Sequence, residues 1–270
     1  TFINTTVNGE TVSTDTEGNV ALLNGTLYET LQAAVEAAKA GDTITILPGT
    51  HELAENTTIT LDKKITIQGA TNSERERAVI KGKGTNASGH GLFTLAEGSE
   101  GSVLDNFDIS YTATGSDCAA IYLSAGFGGE GSETTLIQSV NIAGDGSADN
   151  EQAIGILSTY GAEGPLVVVA NTFSNLKYGM YFNQITDLTV ENNTIDNTRY
   201  NAINIAADSK TYPCSNITIA QNTLTNISSA NYDDAAYSSG INVGAQTEGV
   251  KVEGNSISML NGKKPINVVQ

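Results

Sequence analysis

Three small groups of polar residues have the types and spacing to do chemistry. Asp233 and Asp234 stand just upstream of the phrase GINV at 240, and Asp208 and Lys210 stand just downstream of AINI at 202. Hydrolysis of a glycosidic bond uses two carboxylates about 5 to 9.5 Å apart, so Asp208 with Asp233 or Asp234 is the candidate pair. Lys177, Tyr178, Arg199, Tyr200 and Asn201 precede two consecutive copies of the same phrase. Lys210 or Arg199 could instead be the base of a lyase, taking the proton beside a uronate whose acid group a cation neutralises. The loop DGSADNE at 145 puts Asp145, Ser147, Asp149 and Glu151 at alternate positions, an oxygen-rich pattern that could cradle calcium, although it lacks the glycine position and distant glutamate of an EF-hand. For each group the competing reading is an ordinary solvated loop charge. With only His51 and His90 in the chain, a Ser-His-Asp triad or a multi-histidine metal site is disfavoured. No cofactor fingerprint is present, so the expected complement is none, with calcium as the one open exception.

These residues are far apart in sequence, and a repeated phrase is what would bring them together. It is Gly or Ala, then apolar, any residue, apolar: AIYL at 120, AIGI at 153, GMYF at 179, AINI at 202 and GINV at 240. A constant unit joined by connections of varying length is the mark of a solenoid. Two further phrases keep their order inside each repeat. LVVV at 166, LTV at 188, ITI at 217 and VKV at 250 are each followed by NTFSN, NTIDN, NTLTN or NSISM. One turn therefore reads strand, tight Asn-bearing turn, strand, loop, strand, loop, and such turns stack into three parallel sheets. Asn171, Asn193 and Asn222 fall at equivalent turns, where Asn tolerates left-handed backbone and its amide can bond the same amide one coil away.

In the AIYL-type strand the two apolar side chains point inward, so the residue between them points out. Stacked coils would line these up as Thr94, Tyr122, Gly155, Tyr181, Asn204, Asn242 and Asn267. Beside them a column of small residues, Ala120, Ala153, Gly179, Ala202 and Gly240, would leave a shallow groove. Tyr122 and Tyr181 would stand two coils or ~10 Å apart, close to the reach of two sugar rings. Aromatic faces beside amides suit a sugar, whose C–H face packs on the ring while its hydroxyls find amide partners. The expected glycan-binding residues are Tyr122, Tyr181, Asn204, Asn242, Lys177 and Tyr200.

The stretch YETLQAAVEAAKAGDTITILPGTHEL, followed by TITLDKKITIQGA, resembles the start of the right-handed parallel β-helices of the pectin-lyase-like superfamily. NGTLYETLQAAVEAAKAGDTITIL is also similar to the openings of cell-surface β-helix domains common in gut bacteria. The resemblance implies an N-terminal helix plugging the coil. Leu27, Leu31, Ala34, Val35 and Ala38 fall at helical spacing, and Gly41 would cap the end. The expected fold is an all-β solenoid, a single-stranded right-handed parallel β-helix of about ten coils. Its organisation would be one domain over 1–270, with an N-terminal segment 1–26, a capping helix 27–40 and coils 41–270. The superfamily includes pectate lyases, polygalacturonases, esterases, epimerases, phage tailspikes and adhesins, whose ligands lie along the first sheet, so the resemblance is specific for fold and not for activity. Gly89-His90-Gly91 copies a polygalacturonase tripeptide, but the motifs that accompany it there are absent.

Thirty acidic against thirteen basic residues give a net charge of −17, which argues against nucleic acid and anionic membranes as partners. No apolar run approaches the ~18 residues of a membrane span. Cys118 and Cys214 should lie three coils or ~14 Å apart, about twice the reach of a disulfide. The reading that results is a monomeric extracellular module, secreted or attached to a cell surface. It would bind a polysaccharide or host glycan along the first sheet as a carbohydrate-binding or adhesin-like domain of a bacterial surface protein. The alternative is a polysaccharide lyase or glycoside hydrolase acting in the same groove, and a third reading is a bare spacer.

Overall fold

The computed structural model of the protein describes residues 5–7, 10–12, 18–85, 90–145, 152–207, 210–230, 232–261 and 264–269. The solenoid is present: three parallel sheets in which each strand pairs with its equivalents one coil before and one coil after. The first sheet carries the repeated phrase, in strands that include Cys118–Leu123, Ile154–Ser158, Tyr178–Phe182, Ile203–Ile205, Ile241–Val243 and Ile266–Val268. The first and third sheets have eight strands each, and the second has ten because an antiparallel hairpin, Ala21–Leu23 with Thr26–Tyr28, starts it. The coils among the described residues thus number eight, since the chain before residue 43 goes into the hairpin and helix.

Alternation converts this register into columns. In the second sheet Ile44, Ile67, Leu104, Ile137, Val168, Val190 and Ile219 lie side by side, each fully buried. Most are β-branched, which suits a pleated surface packed on one face. Each such side chain removed from water contributes roughly 1.5–3 kcal/mol. One continuous apolar cluster runs through the interior from Ala21 to Val243. Cys118 and Cys214 are both buried within it and unbridged.

The turn between the second and third sheets is the most regular part of the coil. Its left-handed residues are Asn106, Ser139, Ala170, Asn192, Gln221 and Gly254, with φ between 53° and 64°. The ladder asparagines come one position later: Asn171, Asn193, Asn222 and Asn255. Each Oδ1 accepts two bonds from the asparagine of the preceding coil where there is one, as Asn193 does from the Asn171 backbone N–H at 2.9 Å and its Nδ2 at 3.0 Å. Each Nδ2 also donates to a strand carbonyl, Val168 O in the case of Asn193 at 2.9 Å. The ladder starts by accepting from the Val140 N–H. In the coils before it, where Phe107 and Val140 occupy the ladder position, Arg77 braces the turns instead, donating to Asp108 Oδ1, Asn106 Oδ1 and Ser139 O at 2.7–2.8 Å.

The N-terminal helix is shorter than its apolar spacing suggests. It spans Leu31–Ala37 rather than 27–40, because Thr30 caps it, its hydroxyl accepting from the Ala33 N–H at 3.1 Å. Leu27 belongs to the hairpin and packs with Leu22 and Leu47. Gly41 lies beyond the helix in a turn at φ 90°, its N–H donating to Lys64 O. Leu31, Ala34, Val35 and Ala38 join the core as expected.

The small-residue column is corrected more sharply. Ala120, Ala153 and Ala202 belong to the interior cluster, and a Cβ on Gly155 would sit 2.3 Å from Gly179 O and 2.7 Å from the Phe173 ring. This column faces the core and does not border a groove. The coil narrows there, so side chains of the third sheet reach it.

Three stability outcomes follow. Asn193→Ala leaves several buried donors and acceptors without partners and should cost ~3 kcal/mol in urea unfolding. Asn197→Ala loses a half-buried amide that donates once, to Asn175 Oδ1 at 2.8 Å, and should cost ~1 kcal/mol or less. Gly155→Ala should destabilise by ~1–3 kcal/mol, since backbone and not a flexible side-chain tip opposes the new methyl.

Candidate functional site

The outer face of the first sheet is floored by one register row. Thr94, Tyr122, Leu157, Tyr181, Asn204, Asn242 and Asn267 are side by side. Leu157 stands where Gly155 was expected, because Ile156 and not Ile154 pairs with Ile121 and Met180. Ile154 instead joins Ala119, Leu157 and Tyr178 in a separate apolar cluster against which Tyr122, Tyr181 and Tyr200 pack.

Two cavities follow this floor. One of ≈ 480 Å³ is lined by Asp117, Tyr122, Leu157, Thr159, Tyr160, Tyr181 and Asn183. The other, ≈ 300 Å³, is lined by Tyr181, Asn204, Tyr237 and Asn242 among others. Tyr181 borders both, so they form one groove along the sheet. Loops that follow the strands raise one wall, in which Tyr160 meets Tyr212 at 5.2 Å between ring centroids. Loops that precede the strands raise the other, a relay of rings: Tyr181 on Tyr178 at 5.0 Å, Tyr178 stacked on Tyr200 at 5.2 Å, Tyr200 on Tyr232 at 5.5 Å and Tyr232 on Tyr237 at 6.2 Å. Tyr160, Tyr212, Tyr232 and Tyr237 are exposed, Tyr232 by 50%. Burial raises the Tyr178 hydroxyl well above the usual phenol range, with Tyr181, Tyr200, Tyr237 and Asp117 adding to it, so this ring stays neutral.

Asn204 and Asn242 are present in the floor but are 2% and 4% exposed. Asn242 Nδ2 donates to Asn204 Oδ1 and Asn267 Nδ2 to Asn242 Oδ1, both at 2.8 Å. This is a second amide ladder, and it leaves these groups mostly committed to each other. Lys177 and Arg199 lie on the ring-relay wall, with Lys177 Nζ 5.9 Å from the Tyr178 centroid and Arg199 Cζ 5.3 Å from that of Tyr200.

The carboxylates are less well placed. Asp208 lies outside the described residues, as do Asp149 and Glu151 of the calcium loop, while Asp145 is exposed. Asp234 shapes its own loop, its carboxylate accepting from the Ala236 N–H at 2.9 Å, and Asp233 and Lys210 are exposed. Among the described residues the carboxylate of the larger cavity is Asp117, which lies outside the repeated phrases. Asn201 is buried and ties its coil to the next through Ser239 O. His51 contacts Leu47 O, away from the groove, and His90 begins a first-sheet strand. Among the described residues no three His, Cys, Asp or Glu side chains gather as metal ligands. No helix among them is long and apolar enough to cross a membrane.

The tyrosines missed from the sequence were Tyr160, Tyr212, Tyr232 and Tyr237, all in loops of irregular length. A signal existed. The chain has ten tyrosines and no tryptophan, and seven of the ten fall between residues 160 and 237.

No protein-family model matches the chain, and no curated protein matches it. Among solved structures it is similar to the enzymatically active domain of bacteriophage CBA120 tailspike protein 2, at 15% identity and a TM-score of 0.57, over 83% of this chain and 32% of that one. The chain thus spans about a third of the length of that tailspike domain. More distant likenesses are a GH87 α-1,3-glucanase catalytic domain, at 14% identity, TM-score 0.34 and 89% and 66% coverage, and the Azotobacter vinelandii mannuronan C-5 epimerase AlgE6 A-module, at 12%, 0.39, and 89% and 94%. The likeness that carries weight is one of architecture: this is a right-handed parallel β-helix with the pectin-lyase-like fold.

Proposed function

We propose that the protein is a glycan-binding β-helix module that holds an extended polysaccharide in the tyrosine-lined groove on the first sheet. The observation that carries this reading is the collection of Tyr122, Tyr160, Tyr178, Tyr181, Tyr200, Tyr212, Tyr232 and Tyr237, eight of ten tyrosines, around one groove. A tyrosine ring offers a flat apolar face with few rotatable bonds, and its hydroxyl supplies a hydrogen bond at the rim. A groove open along its length suits a polymer better than a small enclosed ligand. The setting that fits such a ligand is extracellular, at a cell surface or in secretion, with the module acting as an adhesin-like domain.

Binding is favoured over hydrolysis because the two-carboxylate arrangement is not assembled among the described residues: Asp117 is the carboxylate of the larger cavity, and Asp233 and Asp234 are in the exposed loop before the strand Ile241–Val243. The test is affinity electrophoresis and calorimetry against a panel of neutral and acidic polysaccharides, with release of reducing ends measured in parallel. Tyr181→Ala, which removes the ring shared by both cavities, should weaken binding about tenfold, or ~1.4 kcal/mol. Tyr28→Ala, at the far N-terminal hairpin, should leave affinity unchanged. Equal affinities for wild type and Tyr181→Ala would remove the groove as the site, and release of reducing ends from a bound polymer would make the module an enzyme.

A further inference from the structure

Six of the described lysines and arginines have a carboxylate partner: Lys63, Lys64, Arg77, Lys81, Lys83 and Lys251. The half-buried ones among these are paired, Arg77 to Asp108 at 2.8 Å and Lys63 to Asp62 at 3.1 Å, each with a side chain 28% exposed. Lys177 and Arg199 are also half-buried, yet no described carboxylate forms an ion pair with either. In a chain of net charge −17, acidic partners are plentiful, so two half-buried cations in one place without an ion-paired carboxylate among the described residues call for an explanation.

Their placement is specific. The Tyr200 N–H donates to Lys177 O at 2.9 Å, which sets the two cations on consecutive coils of the same wall. Lys177 Nζ lies 5.9 Å from the Tyr178 centroid and Arg199 Cζ 5.3 Å from that of Tyr200, and these two rings stack on each other at 5.2 Å and 27°. Burial lowers the Lys177 ammonium below its usual range; the Asp117 carboxylate opposes that, and the Arg199 guanidinium reinforces it. Asp117 is felt at Lys177 but forms no ion pair with it, and Tyr178 leads from Lys177 to Tyr181 on the groove floor. The ring faces offset part of the positive charge. An anion bridging both cations would offset more.

We propose that the Lys177–Arg199 wall is an anion subsite of the groove, and that the bound glycan is acidic, carrying a carboxylate or sulfate that sits against these two heads. This rests on the groove being a glycan site. Arginine offers a planar fork for two oxygens of such a group and lysine a point charge.

The experiment compares binding of the whole chain to polygalacturonate, polymannuronate and a sulfated galactan with binding to carboxyl-reduced or desulfated forms of the same polymers. At least one acidic polymer should bind about tenfold more tightly than its neutral form, and raising the salt from 20 to 300 mM, which shortens the Debye length about fourfold, should erase most of that ratio. The polymer that shows the ratio identifies carboxylate or sulfate as the group. In Lys177→Met with Arg199→Met, which keeps the apolar stems, the ratio should fall to about one. Equal binding of acidic and neutral forms by wild type, or a ratio that survives in the double variant, overturns the subsite. Binding of neutral polymers alone overturns it while the groove stands, and binding of neither kind overturns both. The wild-type ratio and its salt dependence decide the matter even where the double variant fails to fold.

Discussion

Everything on the surface of this molecule depends on parallel coil-on-coil register. Because each strand pairs with its equivalent one coil away, a residue type repeated once per coil becomes a column with a spacing of ~4.8 Å. Inside, that makes continuous rows of isoleucine and valine; at the turn, it makes a ladder in which each asparagine bonds the next. The ladder enforces the register in return. A slip of one residue in a ladder coil would bury an amide opposite an apolar side chain and orphan its bonds. The outer face inherits this order, and the loops, which need not repeat, vary it.

The division between repeating floor and irregular wall explains how much could be read from sequence. The solenoid, the three sheets and the asparagine ladder were legible because they recur. So were Tyr122 and Tyr181, which stand in the repeated phrase and share the larger cavity. Gly155 was misplaced because the strand AIGILS offers two frames, and only pairing of Ile156 with Ile121 decides between them. Burial of Asn204 and Asn242 escaped notice for a different reason. An outward position on a sheet is normally wet, but here the loops carrying Tyr237 and its neighbours cover it. The wall tyrosines and Asp117 lie outside any period, and their convergence is a property of how long loops fold back over the sheet.

The chemistry of the groove is correspondingly uneven. Along the floor, rings and Leu157 give way to an amide ladder whose members are mostly satisfied by one another. Two cations, Lys177 and Arg199, stand on one wall beside tyrosine rings, and neither forms an ion pair with a described carboxylate. Such a surface can hold a polymer by stacking along its length and by charge at one point. Among the described residues the carboxylate lining the larger cavity is Asp117.

The central claim is that a glycan lies on the tyrosines, and the most direct measurement is selective labelling of tyrosine rings followed by NMR titration with the polysaccharide that binds most tightly. The absence of tryptophan leaves tyrosine as the main aromatic reporter, and two of the ten, Tyr28 and the fully buried Tyr111, lie away from the groove. The account predicts that ring resonances of Tyr122, Tyr181 and the wall tyrosines shift together while those of Tyr28 and Tyr111 stay in place. Shifts confined to Tyr28, or none at all under saturating ligand, would contradict it.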